Sequence, residues 1–144
     1  MVNALLECWR VLETDGILID LRPFHSNPAL EVITADAVFV PGHVDDSGGA
    51  ADDIAADEAM TEVVGRGQFT LIMQDSFKFA DYWNTLEGLL EHADERWRDH
   101  ACIPPFVVEA ARRCVAVAGS QYQIRVSREM HIAVYRKQAP VGQS

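Results

Sequence analysis

The chain has 144 residues, 49% of them apolar and 24% charged, with a formal net charge of −10. That apolar fraction excludes disorder along the whole chain, and no apolar run approaches the ~20 residues a bilayer-crossing helix needs. The acidity argues against nucleic acid or an anionic membrane as a main partner.

Cys8, Cys102 and Cys114 lack Cys-x-x-Cys spacing. They read as reduced thiols, and without a secretory signal pattern they point to the cytoplasm. The length suits one domain, expected over residues 1–138 with a frayed tail at 139–144. Charge is uneven. Asp45, Asp46, Asp52, Asp53, Asp57, Glu58 and Glu62 share a stretch without Lys or Arg, whereas most basic residues lie in the last third. The plain reading of the acidic run is a solvated loop leading into a helix whose first turns carry acids, which suits the helix dipole.

In chain order, Asn3 is placed to cap a first helix with Leu5, Leu6, Trp9 and Leu12 on one face. Asp15-Gly16 ends it, with Gly16 expected at positive φ. Ile17 to Leu21 is nearly continuous in apolar character and reads as a strand buried on both faces. Val32 and Thr34, then Val38 and Val40, flank Ala35-Asp36-Ala37 and predict a hairpin closed by Pro41-Gly42. Residues 45–51 read as a flexible linker. Ala56, Ala59, Met60, Val63 and Val64 form a helical stripe that stops at Gly65-Arg66-Gly67. A strand is expected over 68–79 and a helix over 80–97, the latter with Tyr82, Leu86, Leu89, Ala93 and Trp97 on one side. Pro104-Pro105 open another helix, with Val107, Val108, Ala111, Cys114, Val115 and Ala118 buried. Residues 122–126 and 130–135 both alternate, which predicts a closing antiparallel hairpin.

The class is therefore α/β in its alternation and α+β in practice: a mixed or antiparallel sheet, with a C-terminal hairpin packed against helices.

Residues 7–20, Glu-Cys-Trp-Arg-Val-Leu-Glu-Thr-Asp-Gly-Ile-Leu-Ile-Asp, resemble the helix, turn and fifth strand of class I S-adenosylmethionine-dependent methyltransferases. The hairpin expected over 121–137 is similar to that fold's last two strands. Glu13-Thr14-Asp15-Gly16 stands where the family has Lys-Pro-Gly-Gly. The family's glycine-rich cofactor turn has no counterpart, because the sole Gly-x-Gly, Gly65-Arg66-Gly67, follows a helix rather than a strand. The resemblance implies a partial methyltransferase-like fold without its cofactor half. No cofactor is then expected for the isolated chain, and S-adenosylmethionine only if the missing half is supplied. It also implies a strand, Ile17–Leu21, with an exposed edge that a second copy or a partner carrying the cofactor half would cover.

Asp20, Arg22 and His25 lie at or beyond the carboxyl end of that strand, the edge where α/β sheets bind ligands. There Arg22 suits a carboxylate clamp and His25 a proton acceptor; the plainer alternative pairs Arg22 with a nearby acid. Trp83, with Tyr82, Phe77, Phe79 and Trp97, suits an apolar small-molecule pocket, although helical spacing favours core. Asp20, Arg22, His25 and Trp83 are thus the candidate ligand-binding residues. No catalytic residue is indicated. His43, Asp45, Asp46, Asp52 and Asp53 carry metal-binding donors but fit no defined ion-binding loop, so no metal is expected. Two functions follow: a dimerising protein that binds a small ligand or serves in assembly, or a fragment of a methyltransferase whose donor site lies elsewhere.

Overall fold

Helix α1 (Val2–Val11) is the first element of a computed structural model that describes residues 1–24 and 26–140. It is followed by β1 (Ile17–Pro23), β2 (Ala29–Ile33), β3 (Val38–His43), α2 (Ala50–Gly65), β4 (Phe69–Trp83), α3 (Leu86–Arg96), α4 (Pro105–Ala118) and β5 (Gln123–Lys137). The strands form a five-stranded sheet ordered β1-β5-β2-β3, with β4 also paired to β5. The β1–β5, β2–β3 and β2–β5 registers are all antiparallel. The class is α+β. The chain separates into two compact units. The first comprises Met1–Pro23, Ala51–Phe77 and Met130–Ser144; the second comprises Phe24–Ala50 and Lys78–Glu129.

In the first unit, Met60, Val63 and Phe69 form a buried cluster on which Leu5, Leu6, Trp9 and Leu12 of the N-terminal segment pack, together with Leu18 and Tyr135. Helical spacing in α1 and α2 predicted these faces correctly. The N-terminal cap differs. Met1 occupies the cap position and no side chain caps the helix, so Asn3 lies inside it. At the exit, Asp15 rather than Gly16 takes the left-handed backbone, at φ 61°. Glycine is required at position 16 for another reason: a Cβ there would stand 2.8 Å from the Glu13 carbonyl oxygen. Trp9 Nε1 donates to the Gln138 carbonyl at 3.1 Å, and Lys137 Nζ donates to that of Leu12 at 2.6 Å. The chain's two ends are tied together by these bonds.

β1 is not buried on both faces. Its burial alternates: Leu18, Asp20 and Arg22 turn inward, while Ile17, Ile19 and Leu21 are exposed. The apolar run concealed this alternation because isoleucine and leucine occupy both faces. The closing hairpin is likewise absent, since residues 123–137 form one strand. The polar triplet Ser127-Arg128-Glu129 looks like a turn in sequence. In the fold Ser127 stands opposite Ala29, and the Glu129 carbonyl accepts from Phe24 N at 2.6 Å. The match to a methyltransferase's last two strands loses one of those strands here.

In the second unit, the β2–β3 hairpin forms as expected, closed by Thr34, whose N–H donates to the Ala37 carbonyl at 2.9 Å. Pro41-Gly42 lies within β3 rather than ending it. Leu30, Val32, Ile124 and Val126 of the sheet are fully buried against Leu86, Leu89, Val107 and Ala111 of α3 and α4. The segment 45–51 is an ordered connection, not a loose linker. Asp45 bridges Cys102 through paired backbone bonds of 2.8 and 2.9 Å, and Ser47–Gly49 forms a 3₁₀ turn. The helix expected over 80–97 starts only at Leu86. Thr85 caps it, accepting from Gly88 N at 3.0 Å, and β4 continues to Trp83. Of the expected tail 139–144, residues 141–144 lie outside the described residues.

Candidate functional site

Three features have the makings of a site: the ion cluster on β1, the polar sheet face of the second unit, and the uncovered apolar face of the first.

Alternation along β1 points Asp20 and Arg22 to the same side, and both carboxylate oxygens of Asp20 accept from Arg22, each at 2.8 Å. The guanidinium also donates to Asp57 of α2 at 2.8 Å and to the Asp53 carbonyl at 3.3 Å. The carboxylate partners hold its positive charge more firmly than usual, Asp20 first, against the opposing effect of burial. Its donors are engaged by β1 and α2, which makes Arg22 a structural tie rather than an open carboxylate clamp. A cavity of about 500 Å³ beside it is lined by Met60, Leu71, His131 and Tyr135. Burial pushes the Tyr135 phenol up from its ordinary value.

Trp83 belongs to the second unit, whereas Asp20 and Arg22 belong to the first. His25 lies outside the described residues. The Trp83 ring meets His92 and Trp97 edge-on, at centroid separations of 5.4 and 6.2 Å, and packs on the core of its unit. Tyr82, Phe77 and Phe79 are exposed instead. The aromatic residues therefore divide between core and surface. Among the described residues, no group of three or more His, Cys, Asp or Glu is placed to hold a metal ion.

The sheet face opposite the second unit's core is polar. On it, Glu31 of β2 stands directly across from Arg125 of β5, and Ala29 across from Ser127. Arg125 grips Glu31 with two bonds of 2.5 and 3.1 Å, and the Ser127 hydroxyl donates to the same carboxylate at 2.7 Å. The guanidinium holds Glu31 below its ordinary range despite partial burial, and Lys78 adds to this. These residues line a cavity of about 660 Å³ together with His43 and Tyr82. Sequence reading missed it, because its members come from four strands, with Ala29 and Glu129 100 positions apart. The available signal was the alternation Ala29-x-Glu31 and Arg125-x-Ser127 on strands whose intervening residues are apolar.

Comparison of the chain with family models, curated proteins and solved structures finds no match.

The methyltransferase family binds S-adenosylmethionine through a glycine-rich turn, and the glycine pair is the one place where the residues could be tested against that group. A cradle for a cofactor needs glycines because a side chain would collide with the bound group or the adjoining backbone. The pair joins the end of α2 to the start of β4, whereas a cofactor-cradling turn follows a strand and opens a helix. Gly67 is at φ 74°, which accounts for its identity as a turn residue. The residues present do not fit the cofactor there.

Proposed function

We propose that this chain works by association, as a homodimerising binding or assembly protein whose contact surface is β1 and the face it shares with β5. The observation that carries the reading is the exposure of Ile17, Ile19 and Leu21, at 42%, 59% and 51%. In register, Ile19 and Leu21 stand opposite Val134 and Ile132 of β5, so four aliphatic side chains share one face. Helices α1 and α2 pack through Leu18 and Tyr135 on the other face. β1 ends the strand order, so among the described residues its second edge carries no strand partner. An apolar edge strand is a template for pairing, and an identical strand is the partner always available at matching concentration. Burying the remaining exposed part of Ile17, Ile19 and Leu21 contributes roughly 2–5 kcal/mol per protomer, at the usual 1.5–3 kcal/mol for a whole aliphatic side chain.

Sedimentation equilibrium tests the reading. The wild-type chain is expected to dimerise, and Ile19→Lys, which places an ammonium group in the shared face, is expected to be monomeric with an unchanged far-ultraviolet spectrum. A wild-type chain that stays monomeric across the concentration series overturns the proposal.

A further inference from the structure

The hollow of about 500 Å³ beside Arg22 in the first unit is walled by α2 on one side and by β1, β4 and β5 on the other. Strand alternation puts its sheet residues on one face. Leu18 stands across from Tyr135 and Arg22 across from His131, and both Leu18 and Tyr135 pack on the cluster of Met60, Val63 and Phe69. Leu71 follows Phe69 by two positions and shares that face, yet Phe69 is 1% exposed and Leu71 40%. The helix covers Phe69 and leaves Leu71 bare at the hollow.

On the helix, Asp57, Thr61 and Gly65 stand at i, i+4 and i+8 and form the column that borders the hollow, while Met60 and Val64 beside them belong to the core cluster. Gly65 has no backbone reason to be glycine. The left-handed residue at this helix exit is Gly67, at φ 74°, and a glycine within a helix costs stability relative to alanine. A Cβ at Gly65 would meet nothing within 4 Å, so the missing side chain leaves the hollow open at that end.

The polar groups left over are acceptors. Arg22 divides its charge between Asp20 and Asp57, so the three side chains together carry one net negative charge. Arg22 takes up only Oδ1 of Asp57, which leaves Oδ2 to accept. Thr61 spends its hydroxyl hydrogen on the Asp57 carbonyl at 2.8 Å and has only lone pairs to offer. No hydrogen bond engages the Tyr135 hydroxyl among the described residues, and the charges of Asp20, Arg22 and Asp57 all reach it. An anion meets a net negative wall in this hollow. An ammonium, with a positive charge and three hydrogens to donate, meets acceptors above an apolar floor.

We infer that this hollow binds a small primary amine with a compact apolar body, its ammonium received by Asp57 and Thr61 on the helix and its body laid on Val64, Leu71 and Tyr135. The site lies on the helix-covered face of β5, opposite to the face that carries Val134, so amine binding and self-association are separate measurements.

Amide NMR titration of the full chain with phenethylamine tests the site, with 2-phenylethanol as the uncharged counterpart and phenylacetate as the anion. Phenethylamine is expected to give saturable shifts at Asp57–Gly65, Leu71 and His131–Tyr135. 2-Phenylethanol is expected to bind about tenfold more weakly, the worth of one charge-assisted hydrogen bond, and phenylacetate more weakly still. Asp57→Asn leaves Arg22 bonded to both oxygens of Asp20, and is expected to weaken the amine about fivefold, as an exposed ion pair allows. Gly65→Leu fills the open end and is expected to abolish saturation with an unchanged far-ultraviolet spectrum; if that variant does not fold, Asp57→Asn decides. Glu95→Gln removes one negative charge from an exposed position of the other unit and is expected to leave binding unchanged. Four results overturn the inference: no saturable shift, equal binding of the amine and the alcohol, phenylacetate binding as tightly as the amine, or unchanged amine binding in either folded site variant.

Discussion

Glu31 shows how a single residue acquires its role from its neighbours. In sequence it is one of 22 acids. In the fold Arg125 and Ser127 converge on it from the adjacent strand, and the guanidinium lowers its pKa. A carboxyl whose folded pKa is depressed contributes stability at pH values above its unfolded pKa, and that contribution disappears as pH falls through the folded value. The second unit is therefore expected to lose stability on acidification below the ordinary glutamate range. Glu31→Gln should flatten that acid limb, as read by thermal melts from pH 6 to pH 3; a limb of unchanged steepness in the variant rules the role out. Arg22 makes the complementary point. Its position at a strand end suggested a ligand clamp, but the acids that satisfy it include Asp57, 35 residues away. No spacing rule in the sequence connects those two residues.

At the level of elements, helices were easier to read than strands. α1, α2 and α4 each carry an apolar stripe at a period near 3.6, and the buried residues fall on it. The strands misled for particular reasons. β4 carries Tyr82 and Trp83 at a spacing compatible with the following helix, and the decisive signal, Thr85 accepting from Gly88 N, is a cap that one residue further along would not provide. β5 contains a polar triplet that imitates a turn but is satisfied by the neighbouring strand. Packing between elements is close at β3 and α4, where a Cβ on Gly42 would come within 2.7 Å of the Val107 side chain. Gly42→Ala is expected to destabilise the protein by about 1–3 kcal/mol through overpacking. Gly49→Ala, where a Cβ meets nothing within 4 Å, serves as the control. Denaturant unfolding of the two variants checks this, and equal midpoints would refute it.

For the whole molecule, the question is whether the resemblance to methyltransferases expected from residues 7–20 extends to cofactor binding. β1 lies antiparallel beside the C-terminal strand β5. The likeness of 121–137 to two strands is lost, and the glycine pair follows a helix and precedes a strand. Titration calorimetry of the full chain with S-adenosylmethionine is expected to give no saturable heat. Micromolar binding would instead favour an autonomous methyltransferase and displace the association reading. No helix is long and apolar enough to cross a membrane among the described residues.

By itself the sequence determined the α+β class, the helix faces, the β2–β3 hairpin and the start of α4 at Pro105, because each depends on periodicity, capping or backbone restriction within a few residues. Tertiary structure alone decided which face of β1 is covered, that β5 is a single strand, and that Glu31, Lys78 and Arg125 share one cavity. These outcomes depend on pairing between segments up to about a hundred residues apart. There the free energy of burial and cross-strand hydrogen bonding, rather than local preference, selects the conformation.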